Sequence, residues 1–200
     1  MIRIYGTPRS RATRCMWLLE EMGVPYELVR VDTAAGANRQ PAFLALNPAG
    51  KVPILELESF VMSESHAINL WLAQREGGSF WPADPHERGR ILQWTFWTAA
   101  ELEPVTSQIL RLKRAGEPGA EARIAELLVS ANALIQLVEL QLGKGRFLAG
   151  DEFGLADIAV GSVLVYADFF GIDMAAFPRT GEWLNSLRRR PGHQRVFGAA

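Results

Sequence analysis

The chain changes in kind at one Gly- and Pro-containing stretch, residues 76–85. Before this stretch, in residues 1–76, short segments that alternate like strands are interspersed with segments whose apolar residues recur at helical spacing. After it, in residues 84–197, nearly all apolar residues recur at helical spacing. A length of 200 residues is enough for two small domains. We therefore predict an N-terminal domain over residues 1–76, a linker over residues 77–84 and an all-helical domain over residues 85–200.

The N-terminal half predicts a small mixed sheet. Its predicted elements are, in order, a strand at Ile2–Tyr5, a helix at Arg11–Met22, a strand at Tyr26–Val31, strands at Val52–Leu57 and Phe60–Met62, and a helix over about residues 65–75. The first two strands are separated by a helix and should run parallel, whereas the last two share a tight turn and form an antiparallel hairpin. The order βαβ followed by ββα predicts an α/β domain with a four-stranded mixed sheet.

The second half predicts a bundle of helices. They run from Pro85 to about Lys113, from Glu121 to Leu142, from Leu155 to Phe169, from Pro178 to Arg190 and from Pro191 to Phe197. Pro104 lies inside the first of these helices and predicts a kink there. The segment from Leu155 to Phe169 is very apolar, so we expect it at the centre of the bundle.

Composition excludes several classes of function. The net charge is −1, which provides no electrostatic footprint for nucleic acid or an anionic membrane. Cys15 is the single cysteine, which excludes an intramolecular disulfide, a CxxC pair and a multi-cysteine zinc site. His66, His86 and His193 lack ligand spacing, so we expect no metal. His66 follows Glu64 and Ser65, so it lines the edge of any site formed there or, as we expect, occupies an exposed helix position. With no signal-peptide pattern and no run near the ~18 apolar residues of a membrane span, we expect a soluble, cytoplasmic protein.

Two motifs in the first half carry a family resemblance. Asn47–Pro53 (NPAGKVP) and Ser63–Ile68 (SESHAI) resemble, at this spacing, the glutathione-binding segment of the cytosolic glutathione transferases. Arg9–Arg11, with the helix that follows, looks like the first helix of bacterial, serine-type members. Phe147–Asp151 followed by Leu155–Ile158 resembles a buried C-terminal motif of the family. The resemblance implies a thioredoxin-like first domain, glutathione as co-substrate, and a homodimer.

Pro53 and its two neighbours are the first candidate glutathione-binding residues. A proline cannot donate to a sheet ladder, so Pro53 at a predicted strand start is either a trans proline at a sheet edge or a special turn. In the family this proline is cis, and the bend exposes the backbone N–H and C=O of the preceding residue, here Val52. Those groups can pair with the cysteinyl backbone of glutathione as an added strand does. The resemblance also implies that Lys51 attracts the glycyl carboxylate.

Glu64 and Ser65 open a predicted helix, where backbone N–H groups and the helix dipole favour an anion. The residues alone are equally consistent with a simple helix cap. The resemblance implies that Ser65 binds the γ-glutamyl carboxylate and Glu64 the ammonium group.

Ser10 is the candidate catalytic residue, because it precedes the first predicted helix at the position used by serine-type members. Its hydroxyl would stabilise the glutathione thiolate. Lowering a thiol pKa of ~8.5 by about two units requires ~2.7 kcal/mol. A hydrogen bond to an anion supplies roughly 1.5–3 kcal/mol and a helix N-terminus about 0.3–1 kcal/mol more, so no general base is needed.

Three alternatives to that assignment stay open, and two nearby residues are set aside. Ser10 itself can be only an N-cap. Thr7 or Arg11 can stabilise the anion instead, and Arg11 is also a candidate glutathione-binding residue. Tyr5 lies too far upstream to match the tyrosine of other classes. Cys15 falls on the apolar stripe of the helix and is interpreted as a buried small hydrophobe.

Residues of the helical half complete the candidate list. Trp94 and Trp97, with Thr7 from the first half, are expected to line an apolar pocket for the acceptor substrate. Asp157 resembles a family aspartate that caps the central helix together with a Ser or Thr three residues earlier. Here that residue is Gly154, which has no side chain to cap with, so half of the capping box is missing.

The sequence therefore predicts an enzyme that ionises glutathione and transfers it to a hydrophobic electrophile. One alternative is another glutathione-dependent reaction, such as isomerisation, reductive dehalogenation or peroxide reduction. The reductive reactions favour a catalytic cysteine, and position 10 holds a serine. The other alternative is a non-catalytic binding or regulatory protein, a class that often lacks the Glu-Ser pair retained here at residues 64 and 65.

Overall fold

The computed structural model describes residues 1–8, 10–116 and 118–198. Arg9, which belongs to one of the family-like motifs, lies outside these ranges. The chain divides into two compact units, one formed by Met1–Gly78 with Arg189–Ala200 and the other by Ser79–Arg188. The domain boundaries drawn from the sequence, at residues 76 and 85, stay a prediction about which segments fold independently.

A four-stranded sheet forms the centre of the first unit. Its strands are β1 (Ile2–Gly6), β2 (Tyr26–Arg30), β3 (Ile54–Leu57) and β4 (Phe60–Ser63), in the spatial order β2-β1-β3-β4. β1 and β2 are parallel, with Ile4 opposite Leu28, whereas β1 and β3 are antiparallel, with Ile4 opposite Leu55. β3 and β4 form the antiparallel hairpin. The predicted mixed sheet is therefore confirmed.

Three helices follow the strands of this unit: α1 (Ala12–Met22), α2 (Pro41–Leu46) and α3 (Ser65–Glu76). α1 is buried from Ala12 to Leu19, where it contacts β1 and α3, and its last turn is half-buried. Gly23 ends α1 in the left-handed conformation, with φ 66°, and its N–H bonds back to the last turn. The largest fully buried side chains of the unit are Ile4, Trp17, Leu18, Leu19, Ile54, Leu55, Ile68 and Leu72.

The second unit is helical, as predicted. It contains α4 (Pro85–Trp97), α5 (Glu103–Ala115), α6 (Ala120–Leu142), α7 (Leu155–Leu164), α8 (Ala167–Phe170) and α9 (Pro178–Arg188). Asp84 caps α4 by accepting from the N–H of His86 at 3.0 Å. α4 and α5 are joined by a π-helical turn at Thr98–Leu102, directly before Pro104. A proline lacks an N–H and its ring clashes with the carbonyl four residues back, so the wider turn accommodates it where we predicted a kink.

The central helix is shorter than the sequence suggests. Every residue of α7 is buried, which confirms its central position, but α7 ends at Leu164 and not at Phe169. A turn at residues 165–166 separates it from α8. The Val165 carbonyl accepts a hydrogen bond from the Arg188 guanidinium at 3.3 Å, which satisfies one of the carbonyls left at the helix end. The apolar pattern continues through the turn and therefore hides it.

Asp157 fastens the start of α7. Its Oδ2 accepts from the N–H of Gly154 at 3.0 Å, and its Oδ1 accepts from the N–H of Leu148 at 3.1 Å and from Nε1 of Trp183 at 2.9 Å. Gly154 contributes only backbone, so the reciprocal side-chain half of the box is absent, as expected. The structural interpretation of Asp157 is confirmed, since all three donors come from packing elements of the helical unit.

α6 is apolar and long enough, by length and composition alone, to cross a membrane, although we expected no such segment. Its inner face is buried at Leu127, Ala131 and Ile135. Near its end, the Glu139 carboxylate accepts from the backbone N–H and the hydroxyl of Thr180, both at 2.8 Å. α6 is therefore packed in this unit along one face, whereas most of its surface is exposed.

The last helix, α10 (Pro191–Phe197), returns to the first unit and packs on α1. His193 lies edge-to-face against Trp17, with ring centroids 5.1 Å apart. Arg190 pairs with Glu21 at 2.8 Å. Gly192 sits so close to Glu21 that a Cβ would lie 2.7 Å from its Oε1, so only glycine fits without displacement.

Candidate functional site

Ser10 lies in the turn between β1 and α1, half-buried. Its hydroxyl donates to the Thr7 carbonyl at 2.7 Å and accepts from the Ala12 N–H at 3.2 Å. The turn can approach the helix because Gly6 ends β1: a Cβ on Gly6 would lie 2.4 Å from the Ala12 Cβ. Ser10 therefore does cap the first turn of α1. A role at a thiolate additionally requires its proton to leave the Thr7 carbonyl.

The alternatives to Ser10 differ in their surroundings. Thr7 is half-buried and Arg11 is exposed at the start of α1, so both stay open as predicted contributors. The Tyr5 hydroxyl donates to Glu56 at 2.5 Å, and this hydrogen bond raises the pKa of Tyr5. Burial raises the pKa of the Cys15 thiol to about 12, and Cys15 is fully buried, which confirms that it is a core residue.

The loop before β3 is held in a compact turn. The Val52–Pro53 peptide bond is cis, as the resemblance implies. Asn47 organises the loop: its amide donates to the Lys51 carbonyl at 2.8 Å and its side-chain oxygen accepts from the Ala49 N–H at 3.1 Å. Val52 is half-buried directly before the strand, and the Lys51 side chain is exposed.

Arg39 lies against this loop, although the sequence analysis did not single it out. It ends a short 3₁₀ turn, Ala37–Arg39, and its Nη1 occupies the space 2.6 Å from where a Cβ of Gly50 would stand. The neighbouring Asn38 donates to the Gly50 carbonyl at 2.7 Å. Gly50 also has φ 62°, so its backbone and its surroundings both require glycine. Arg39 thus adds a second cation on the Lys51 side of the loop.

Glu64 and Ser65 stand at the start of α3, as predicted. Glu64 has φ 72° and ψ 104°, a conformation that costs a non-glycine residue of order ~1–3 kcal/mol and that clusters at functional sites. Its side chain is exposed, whereas Ser65 is buried. The backbone strain at Glu64 turns the chain so that Ser65 begins the helix with its hydroxyl inside the unit.

Two further residues contact each other beside Ser65: Arg14, which the sequence pattern did not single out, and His66, which we expected to be exposed. Arg14 of α1 is buried, and its Nη1 donates to the Ser65 hydroxyl at 3.4 Å. The same Nη1 contacts Nε2 of His66 at 2.5 Å. The expectation of an exposed His66 is therefore wrong, because the pairing with Arg14 holds it half-buried. A charged residue inside an otherwise buried helix was the signal that could have identified Arg14.

The acceptor-pocket candidates fall in both units. Trp94 is buried on α4 and packs edge-to-face with the half-buried Trp97, with ring centroids 5.1 Å apart. Thr7 belongs to the first unit. Their joint role in a pocket stays a prediction. Within residues 1–8, 10–116 and 118–198, no group of three His, Cys, Asp or Glu side chains is arranged to hold a metal ion.

The βαβ–ββα unit, with its cis-proline loop before β3, defines a thioredoxin-like domain. Two family models match the sequence: "Glutathione S-transferase, N-terminal domain" over residues 1–74 and "Glutathione S-transferase, C-terminal domain" over residues 121–186. Glutathione S-transferase GstB of Escherichia coli (strain K12) is 30% identical to this chain, and the match covers 98% of this chain and 97% of GstB.

Two further comparisons bear on function. Disulfide-bond oxidoreductase YfcG of Escherichia coli (strain K12) is 29% identical, with 96% of this chain and 92% of YfcG covered. A solved glutathione S-transferase-I bound with the ligand lactoylglutathione has a TM-score of 0.87 and 28% identity, with 100% of this chain and 99% of that chain covered. The chain belongs to the glutathione S-transferase family.

Proposed function

We propose that the protein joins glutathione to a hydrophobic electrophile, with Ser10 stabilising the reactive thiolate. The observation that supports this most directly is the shared location of three candidate contacts. Ser10 before α1, Val52 before β3 and Ser65 at the start of α3 belong to one compact unit. The lactoylglutathione complex of a relative supports glutathione as the ligand.

The candidate contacts match the chemistry of glutathione from end to end. The buried Ser65 hydroxyl and the start of α3 favour the γ-glutamyl carboxylate, and the exposed Glu64 carboxylate favours the neighbouring ammonium. The main chain of Val52 pairs with the cysteinyl backbone. Lys51 attracts the glycyl carboxylate, Arg39 supplies a second positive charge against the neighbouring Gly50, and Arg11 adds positive charge at the start of α1.

Ser10 activates the thiol by stabilising its anion. On binding, the hydroxyl turns from the Thr7 carbonyl to the sulfur, while the Ala12 N–H still donates to its oxygen. The thiol proton goes to solvent. The thiolate then forms a C–S bond with the electrophilic carbon, and a leaving group such as halide departs with the bonding electron pair. Trp94, Trp97 and Thr7 are the proposed apolar contacts for the electrophile.

A conjugation assay with an aryl halide tests the role of Ser10. We expect Ser10→Ala to lower kcat about 10–150-fold, because a hydrogen bond to a charged group contributes roughly 1.5–3 kcal/mol. We also expect the pKa of the bound thiol, read from the pH–rate profile, to rise by about one to two units. Ser59→Ala, in the exposed turn between β3 and β4, is the matched control and should retain wild-type rates.

The same assay on Thr7→Ala and Arg11→Gln separates the alternatives. If Ser10→Ala keeps the wild-type kcat while one of these variants raises the pKa of the bound thiol, the residue changed in that variant stabilises the thiolate. Ser10 is then only a helix cap.

The name of the relative YfcG favours one second candidate function, glutathione-dependent disulfide reduction. The buried Cys15 argues against a mixed disulfide with the protein itself, since its pKa of about 12 leaves it a neutral thiol. The glutathione thiolate would then attack the substrate disulfide, which forms a mixed disulfide and releases one substrate thiol. A second glutathione thiolate would attack the glutathione sulfur of the mixed disulfide, which forms oxidised glutathione and releases the other substrate thiol. A higher kcat/KM with a model disulfide than with any tested electrophile would favour this function over conjugation.

We propose further that the protein is a homodimer. Large apolar side chains are exposed on both units: Phe60 and Val61 on β4, Phe96 on α4, and Val129, Leu137 and Leu140 on α6. β4 is an edge strand, and Phe60 stacks on Trp71 of α3 at 4.9 Å to form a flat apolar surface. Such surfaces typically mark interfaces between proteins.

We also propose that the protein is cytoplasmic and has no nucleic-acid or membrane partner. Cell fractionation tests the proposed location.

A further inference from the structure

A buried threonine in the first turn of α1 is bonded to the main chain of Ser10. Thr13 is 4% exposed, and its hydroxyl donates to the Ser10 carbonyl at 2.8 Å. The N–H of Thr13 donates to the same carbonyl at 3.1 Å. One residue of the helix therefore supplies two hydrogen bonds to the Ser10 carbonyl, and together they fix the main chain of Ser10 against α1.

The side chain of Ser10 is held at its oxygen by two other donors. Ser10 Oγ lies 3.2 Å from the N–H nitrogen of Ala12 and 3.4 Å from that of Thr7. Donors that point at a hydroxyl oxygen polarise it and make its own proton a stronger donor. A shift of the Ser10 main chain would move this oxygen away from both donors, so their effect depends on a fixed main chain.

The Thr7 carbonyl allows the Ser10 proton to leave without losing its last partner. It accepts from the Ser10 hydroxyl at 2.7 Å and also from the Ser10 N–H at 3.2 Å. When the hydroxyl turns to a thiolate, the carbonyl keeps the N–H and is not left unsatisfied. The hydroxyl can therefore change partner while the main chain stays where Thr13 holds it.

We propose that Thr13 is a positioning residue for Ser10: its hydroxyl fixes the Ser10 main chain while the Ser10 hydroxyl turns to the glutathione thiolate. The inference rests on the proposed function, since it needs Ser10 to stabilise the thiolate. Thr13 does not touch the substrate and acts only through the orientation of Ser10.

The test measures the pKa of the thiol of bound glutathione, from the ultraviolet absorbance of the thiolate in the binary complex as pH is raised. Thr13→Val removes the hydroxyl and keeps the shape of the side chain. We expect it to raise the pKa of the bound thiol by about half a unit to one unit, as the loss of one neutral hydrogen bond predicts. In an aryl halide assay kcat at neutral pH should fall about three- to tenfold. Kd for glutathione should be unchanged at acidic pH, where the thiol is protonated.

Further variants separate positioning from folding. Thr13→Ser keeps the hydroxyl and loses the buried methyl group, so the bound thiol should keep its wild-type pKa. Thr106→Val is the matched control, because the buried Thr106 of α5 donates its hydroxyl to the Leu102 carbonyl at 2.9 Å. It should lower the stability to urea as Thr13→Val does and leave the thiol pKa unchanged. Thr13→Ala also lacks the hydroxyl, has the same expected effect, and replaces Thr13→Val if that variant does not fold.

A double variant tests whether Thr13 acts through Ser10. Ser10→Ala combined with Thr13→Val should have the thiol pKa of Ser10→Ala alone, since no hydroxyl remains to be positioned.

The outcomes distinguish this inference from the function beneath it. If wild type does not bind glutathione, or if Ser10→Ala leaves the thiol pKa unchanged, the proposed role of Ser10 and the inference fail together. If Ser10→Ala raises the pKa and neither Thr13→Val nor Thr13→Ala does, the inference alone fails. An equal rise in Thr13→Ser or in Thr106→Val, or a further rise in the double variant, assigns Thr13 a packing role and also overturns it.

Discussion

Asp157 and Glu139 are both buried carboxylates of the helical unit, yet their pKa values move in opposite directions. Burial raises the pKa of Asp157 from 3.8 to about 6, even though three N–H donors oppose the shift. For Glu139, burial again raises the pKa, but hydrogen bonds from Thr180 and Arg179 together outweigh it and the net pKa is lowered. Asp157 is completely buried with no cation beside it, whereas Glu139 is less completely desolvated and has the positive charge of Arg179 beside it.

Asp157 predicts a distinct dependence of stability on pH. Between pH 3.8 and about 6 the folded form holds a proton that the unfolded chain has released, so the free energy of unfolding falls as pH rises through this window. The shift corresponds to a loss on the order of 3 kcal/mol above it. Urea unfolding of wild type and Asp157→Asn across this range measures the effect.

Glu139 contributes the same pH dependence, of opposite sign to that of Asp157, to both proteins. It therefore cancels in the difference between the two unfolding curves, which isolates Asp157. We expect the difference to change across the window and to be flat above it. Parallel curves for the wild type and the variant would show that Asp157 does not titrate there.

At the same scale, the sequence predicted where candidate residues of contiguous motifs lie relative to the strands and helices. Ser10, Pro53 and Ser65 each follow or precede an element whose start is readable from turn residues. Arg14 and Ser65 are 51 positions apart in sequence, and their contact depends on how α1 and α3 pack. Arg39 sits in a polar loop whose periodicity indicates nothing about its side chain. The sequence therefore could not predict side-chain contacts between residues of different helices, strands or loops.

Among the elements, the strands and the starts of the helices were the most predictable. Asp84-Pro85 and Pro41 mark helix starts through capping and a fixed φ, and Gly23 marks an end through its left-handed conformation. The end of α7 was not predictable, because Val165 and its neighbours are as apolar as the helix itself. The carbonyl of Val165 is satisfied by Arg188, which lies 23 positions away.

Two helical glycines predict opposite effects of an alanine substitution on stability. Gly192 lies at the contact between α10 and α1, and Gly89 lies in α4. A methyl group at Gly192 would displace the Glu21 carboxylate, which also accepts from Trp17 Nε1 at 2.9 Å and pairs with Arg190. We expect Gly192→Ala to lower the free energy of unfolding by ~1–3 kcal/mol through overpacking. Gly89→Ala in α4, where a Cβ meets no neighbouring atom, should raise it by ~0.5–1 kcal/mol.

Chemical denaturation of both variants measures the difference. A stabilised Gly192→Ala would mean that Glu21 moves aside at no cost and that the close approach of α10 is not needed for stability.

For the molecule as a whole, the exposed apolar surfaces predict the assembly. The chain mass is 22.2 kDa, and we expect light scattering to return twice that value at micromolar concentration. Phe60→Lys combined with Phe96→Lys should shift the mass to a single chain, because buried unpaired charges oppose association. Ala34→Lys, in an exposed loop, adds the same charge elsewhere and should remain dimeric. A single-chain mass for wild type at all concentrations would contradict the proposal.

The first unit is discontinuous in sequence, since Met1–Gly78 is completed by the segment that follows Arg188. On the ribosome, α1 therefore emerges long before the helix that covers Trp17. Until the segment after Arg188 is translated, that indole lacks its contacts with His193 and Phe197, and Glu20 and Glu21 lack their partners Arg195 and Arg190. The unit that carries the candidate glutathione contacts is therefore completed only after the helical unit, Ser79–Arg188, has been synthesised.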